Sequence, residues 1–206
     1  MTQFFQIHAE NPQNRLAVQA ASIIRQGGVI VYPTDSGYAL GCQLGDKAAL
    51  TRIKALRGHD DGHHMTLICK DLSELANYAR VDNTAFRLLK NYTPGSFTFI
   101  LLATSEVPRR LQHPKKKTIG LRVPDNKIAL ALLDALGEPI MSTSLILQGH
   151  NELMTDPYDI RTELQGRVDL IIDGGYCGEQ ETSMIDLTSG SPEVIRIGQG
   201  DVSAFV

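Results

Sequence analysis

The stretch GVIVYPTDSGYALG, residues 28–41, decides how the rest of the chain is read. Its first five residues, 28–32, form a short β-branched run, the pattern of a buried strand. Pro33-Thr34-Asp35-Ser36-Gly37 then reads as a turn, placing hydroxyls and a carboxylate at the strand's end. Upstream, residues 12–25 set Leu16, Ala20 and Ile23–Ile24 on one face at helical spacing and stop at Gly27-Gly28. Downstream, residues 46–57 read as another helix. Helix, buried strand, turn and helix in succession point to an α/β domain.

The alternation continues. Residues 65–69, 98–103, 118–123, 139–142, 168–172, 184–187 and 193–197 read as strands, and 72–79, 83–90 and 128–136 as helices. Several neighbouring strands have no helix between them, so the expected sheet is twisted, open and mixed, with flanking helices. The chain of 206 residues is long enough for a sizeable core. With no repeat, low-complexity tract or linker, a single domain over 1–206 is expected.

Composition narrows the function classes. A formal net charge of −3 argues against a nonspecific nucleic-acid coat, so any phosphate contact must come from a local patch. The first residues, MTQFFQIHAENPQN, lack the basic-then-apolar pattern of a signal peptide, and no apolar run approaches a bilayer span. Cys42, Cys69 and Cys177 are odd in number and scattered, which suits a reducing compartment. A cytoplasmic protein without a membrane partner is expected.

Small polar residues recur at strand ends: VIVY-PTDSG, IGLR-VPDN, PIM-STS, LIID-GGYCG, and ETS just before MIDL. Ligands of open α/β sheets gather at such ends, where amides and hydroxyls suit a phosphate or carboxylate. A second stretch, IKALRGHDDGHHMTLI at 53–68, crowds His59, His63 and His64 with Lys54, Arg57 and two aspartates. Three readings stand side by side. A zinc site would use the i, i+4 pair His59 and His63, but Gly58 and Gly62 break a helix there and no cysteine is near. An anion-binding lip would use the cations. A solvated loop needs nothing further.

The order of motifs decides. YPTDSGYALG resembles the PTET-x-YGLG opening of the YrdC-type threonylcarbamoyl-AMP synthases. TPGSFTFIL, TIGLRVPDN, PIMSTS, IDGGYCGEQETSMIDL and VIRIGQG resemble that family's later motifs in sequence, covering about residues 15–200. In detail the chain is similar to a paralogous branch of the family. The resemblance implies an α/β twisted open sheet with a deep, basic central depression. It implies L-threonine, bicarbonate and ATP with Mg²⁺ as substrates and cofactor, giving threonylcarbamoyl-adenylate and pyrophosphate on the way to the t⁶A base of tRNA. By motif, Thr34 would help hold threonine, and Thr118 and Arg122 would contact nucleotide and threonine carboxylate. Ser142 and Ser144 would line the space between substrates, Ser183 would meet the amino acid, and Arg196 would meet ATP. The last shared motif ends close to Val206, so the extra C-terminal domain of some members is not expected.

Two motifs depart from the family pattern. The synthases' Lys-x-Arg falls on Arg57-Gly58-His59, which replaces a permanent cation with a titratable one; the alternative register on Lys54 and Arg57 has the wrong spacing. Their Ser-x-Asn falls on Ser144-Leu145-Ile146, so an amide donor is gone. With Arg57, His59 and Ser144 as the catalytic candidates, a weak or altered enzyme is expected. Zinc is not expected, and the 53–68 stretch is read as a modified anion-binding lip. The alternative is a non-catalytic module binding tRNA or double-stranded RNA, drawing on the basic run VPRRLQHPKKKT. It lacks an RNP-type aromatic motif, and aromatic content is only 6%.

Overall fold

The buried run at 28–32 becomes a central strand because both its faces are covered. The computed structural model describes residues 1–58 and 65–205. Strand β1 (Gln3–Gln6) leads to helix α1 (Asn14–Arg25), strands β2 (Ile30–Pro33) and β3 (Tyr38–Gln43), and helix α2 (Lys47–Arg57). Strand β4 (Thr66–Ile68), helices α3 (Leu72–Tyr78) and α4 (Asn83–Tyr92), and strands β5 (Phe97–Leu102) and β6 (Thr118–Arg122) follow. Helix α5 (Lys127–Leu136), strand β7 (Ile140–Ser144), helix α6 (Pro157–Leu164) and strands β8 (Leu170–Asp173), β9 (Ser183–Asp186) and β10 (Glu193–Arg196) complete the chain.

The strands form one sheet in the order β1-β8-β2-β3-β7-β4-β6-β5-β9-β10. Parallel pairs (β2 with β8, β4 with β6, β5 with β9) are mixed with antiparallel ones (β2 with β3, β3 with β7, β5 with β6), as expected. Most helix starts carry a side-chain cap that accepts a free backbone N–H: Asp46, Asp71, Asp82, Asn126 and Asp156. No described helix is long and apolar enough to cross a membrane.

Two cores flank the sheet, and strand parity sorts residues between them. Val29, Val31, Leu40, Leu67, Phe99, Leu121, Met141 and Ile171 belong to one core, with residues of α2, α3, α4 and α6. Ile30, Tyr32, Ile68, Ile140, Leu170 and Ile172 belong to the other, with α1 and α5. That second core spans only part of its face. Beyond it, over β7, β4, β6, β5 and β9, the sheet itself becomes the floor of a depression.

Three elements escape the sequence reading: β1, β3 and α6. In β3, Ala39, Gly41 and Cys42 have weak strand character, and pairing with β2 and β7 on both sides makes the strand. Gly41 is needed there, because a Cβ would lie 2.7 Å from Ile140 Cγ2 and 2.8 Å from Tyr32 Cε1.

Candidate functional site

Parity along the uncovered strands builds the floor. On β6, Ile119 and Leu121 enter the core while Thr118, Gly120 and Arg122 alternate to the other face. On β7, Ser142 and Ser144 take that face, with Ser142 paired to Thr66 of β4 and Ser144 to Ala39 of β3. On β5 and β9, Thr98 stands beside Met184. The result is a central pocket lined largely by hydroxyls, with Arg122 and Arg196 as its cations. Its volume is about 50 Å³; at about 10–15 Å³ per water, that is room for a small polar molecule.

Arg122 is buried and holds the 33–37 turn against β6. Its guanidinium pairs with Asp35 and donates to Ser36 Oγ at 2.9 Å, while Ser96 Oγ donates to the other oxygen of Asp35 at 2.8 Å. Arg122 Nε is buried with no acceptor. Thr34 lines the pocket, but its hydroxyl donates to Gly37 O at 2.6 Å and accepts from Ser36 N and Gly37 N at 3.2 Å. Ser142 Oγ donates to Leu40 O at 3.0 Å, so the Tyr32 hydroxyl at 2.7 Å must be the donor to Ser142. Burial pushes the Tyr32 phenol up to about 12, which keeps that proton in place.

Arg196 closes the far wall. It donates to Thr182 O at 3.0 Å and lies 2.9 Å from Glu181. The glycines of the closing IGQG segment permit this approach: a Cβ on Gly198 would lie 2.2 Å from Glu181 O. Two further chambers share wall residues with the pocket. One, of about 240 Å³, shares Thr66, Met184 and Arg196 with it and adds apolar Met65, Ile100, Leu111 and Ile119 together with Thr118, Gly120, His113, Lys116 and Asp186. The other, of about 440 Å³, shares Leu153 and Glu181 and includes Ile146.

Comparison with known proteins fixes the ancestry. The Sua5/YciO/YrdC family model, described as "Telomere recombination", matches residues 22–198. The chain belongs to this family. YciO of Escherichia coli is 60% identical over 206 residues, covering both chains fully, and its crystal structure superposes with a TM-score of 0.96. The threonylcarbamoyl-AMP synthase of Neisseria gonorrhoeae is 32% identical over 87% of this chain and 92% of that protein. A crystal structure of Pyrococcus abyssi Sua5 complexed with L-threonine gives a TM-score of 0.87 at 28% identity, over 96% of this chain and 58% of that one.

Within this Sua5/YciO/YrdC domain, Thr34, Arg122, Ser142, Ser144 and Arg196 line the central pocket and Thr118 the 240 Å³ chamber. Arg57 stands behind the pocket, donating to the Ser144 carbonyl. Two more expected residues are not at the pocket wall. Ser183 has the wrong parity: its buried hydroxyl donates to Gly200 O at 2.6 Å and accepts from Gly198 N at 2.9 Å, and its neighbours Thr182 and Met184 line the pocket instead. Lys54 is exposed in the last turn of α2. His59, with His63 and His64, lies outside the described residues. Sequence reasoning also missed Ser36, Thr66, Thr98, Thr182 and Glu181. Thr66 and Thr98 sit on β4 and β5, and only the cross-strand register, Thr66 opposite Ser142 and Thr98 opposite Met184, brings them to the floor. Among the described residues each arginine of the pocket meets a carboxylate, Arg122 with Asp35 and Arg196 with Glu181.

Proposed function

We propose that the central pocket binds an L-amino acid of the threonine class, that the 240 Å³ chamber binds a nucleotide, and that the protein is a slow threonylcarbamoyl-AMP synthase. Arg122 carries this reading. Buried donors are almost always satisfied, so a buried guanidinium with an orphaned Nε among hydroxyls calls for a ligand oxygen such as a carboxylate's. A pocket whose two arginines are each balanced by a carboxylate suits a zwitterion better than a bare anion. The Pyrococcus Sua5 complex with L-threonine adds a related domain that takes such a ligand.

In the proposed reaction the threonine amine and bicarbonate condense to a carbamate with loss of water. A carbamate oxygen attacks the α-phosphorus of ATP, the bridge bond to the β-phosphate breaks, and pyrophosphate leaves. The protein's work is positioning and charge neutralisation. Arg122 orients the carboxylate, Ser144 offers a hydroxyl between the two substrates, and Arg196, which lines both the central pocket and the nucleotide chamber, meets phosphate. The apolar side chains of the nucleotide chamber would cover a base, with Lys116 and His113 at its edge.

Mg²⁺ would enter on the nucleotide's phosphates. Among the described residues no group of three or more acidic, histidine or cysteine side chains is placed to hold an ion, and Asp35 and Glu181 already face arginines. The described residues thus supply no cluster of ligands of their own for the ion. The reaction is slow because Ile146 offers no amide; one missing donor at a reacting centre typically costs a hundredfold or more.

The test is pyrophosphate release from Mg-ATP with threonine or bicarbonate omitted in turn. Release that requires both is expected; release indifferent to both sinks the reading. A second reading, binding of tRNA or double-stranded RNA, is favoured by the exposed cations Arg109, Arg110, Lys115, Lys116 and Lys117 beside the nucleotide chamber. It predicts steeply salt-dependent RNA binding with no turnover.

A further inference from the structure

Two charged side chains on the wall of the central pocket each keep one position unused. Arg122, only 6% exposed, donates from its terminal nitrogens to Ser36 and Asp35, which leaves its Nε–H without an acceptor. Glu181 is the one acidic side chain among the described residues of that wall. Its Oε2 lies 2.9 Å from Arg196 Nη1, and no described residue donates to its Oε1. The other charges are spent. All three nitrogens of Arg196 are engaged by Thr182 and Glu181, and both oxygens of Asp35 by Arg122 and Ser96.

The two unused positions belong to one small space, because a pocket of about 50 Å³ holds only a few waters. The backbone also ties them together. Asp35 connects Arg122 to Ser96, and Ser96 O accepts from Ser183 N at 3.1 Å, two residues along from Glu181. An N–H that lacks an anionic oxygen and a carboxylate oxygen that lacks a cation match the two ends of an α-amino acid. A bare anion would satisfy Arg122 and be repelled by Glu181, and a bare cation would meet the reverse.

We propose that Glu181 is the specificity-determining residue of the central pocket: its Oε1 receives the α-ammonium of the ligand while the Nε–H of Arg122 receives the α-carboxylate. This rests on the amino-acid reading of the pocket and names the group that makes it prefer an acid bearing an amine. Glu181 can serve two cations, because an ionised carboxylate has about four acceptor sites and Arg196 faces only one of its oxygens. Asp35 and Ser36 complete the arrangement by holding the terminal nitrogens of Arg122, so that the Nε edge is the one left for the ligand.

The test is calorimetric titration with L-threonine and with β-hydroxybutyrate, which is threonine without its α-amine. The proteins are wild type, Glu181→Gln, and Glu181→Gln/Arg196→Gln, in which the pocket's charges balance again. Wild type should favour threonine by about tenfold, equivalent to about 1.4 kcal/mol. That preference should fall to within about twofold in Glu181→Gln and stay lost in the double variant. If wild type binds threonine but binds β-hydroxybutyrate as tightly, or if the preference survives in Glu181→Gln, the role of Glu181 is wrong and the amino-acid reading stands. A preference that is lost in the single variant and returns in the double one also overturns the proposal, because net charge and not Glu181 would then read the amine. If neither ligand binds wild type, the amino-acid reading fails as well.

Discussion

Arg122 and Arg196 face the same pocket and each meets a carboxylate, yet the two pairs sit in different media. The Arg122 and Asp35 side chains are 7% and 11% exposed; those of Arg196 and Glu181 are 32% and 27% exposed. Asp35 also accepts from Ser96, and Ser36 accepts from Arg122, so the first pair is the hub of a network tying the 33–37 turn to β6. The second pair bridges β10 to the residue before Thr182 and is partly wet. A buried pair is costly to assemble and more costly to break on one side, whereas a half-exposed pair contributes little to stability. The end of the site proposed for an amino acid is therefore held by the more extensive network, and the end proposed for phosphate by a half-exposed pair.

The sharpest way to break this comparison is to remove each arginine. Arg122→Ala leaves Asp35 buried without its cation and should destabilise the fold by about 3–5 kcal/mol. Arg196→Ala should cost about 1 kcal/mol or less. Urea denaturation of both variants measures the difference, and equal losses would show that burial does not separate the pairs.

Ser183 gives the next largest effect. Its hydroxyl joins Gly198 N to Gly200 O inside the fold, so Ser183→Ala should cost about 1–3 kcal/mol while leaving ligand affinity unchanged. A loss of amino-acid binding without a loss of stability would return Ser183 to the pocket and overturn the parity argument.

That residue also shows where the sequence could be read and where it could not. The β-branched run at 28–32, the helix faces and the order of motifs are local patterns, and they carried the sheet, most helices and the two arginines. Which of Thr182 and Ser183 faces the ligand depends on a pleat phase set by pairing between β9 and β5, a non-local fact. Strand β1 has only four residues, too short for a period to show. Helix α6 did announce itself, with Asp156 capping and Pro157 in the first turn, but its apolar face is too brief to stand out. The arginines were visible, but their pairing with Asp35 and Glu181 was not, because each partner lies on a different loop.

The lip sets the scale of the third effect. Ile146 is half-buried on a chamber wall, so an amide there stays wet and costs little stability. Ile146→Asn combined with Arg57→Lys and His59→Arg should raise threonine-dependent pyrophosphate release about tenfold, a barrier change of about 1.4 kcal/mol. A stable triple variant with unchanged turnover would rule out the weakened-synthase account and leave RNA binding ahead.

The smallest effect concerns a carboxylate that is buried without an ion pair among the described residues, the case missing from the comparison above. Glu74, in the first turn of α3, is 9% exposed and accepts from Lys70 N at 2.7 Å. Burial raises its pKa above the ordinary 4.5, against the pull of that hydrogen bond and the Lys70 charge. The folded state thus favours the protonated form. That preference is fully present below about pH 4.5, where the unfolded chain is protonated too, and is lost as pH rises through the higher folded value. At neutral pH the fold carries the charge at a cost that Asp35 avoids by meeting Arg122. Glu74→Gln keeps an oxygen for the Lys70 N–H and removes the charge. Its stability relative to wild type, measured by urea denaturation across pH, should be near zero below about pH 4 and turn modestly positive at neutral pH. A difference that is flat with pH, or that becomes negative at neutral pH, would mean that the Lys70 charge and hydrogen bond outweigh burial at Glu74.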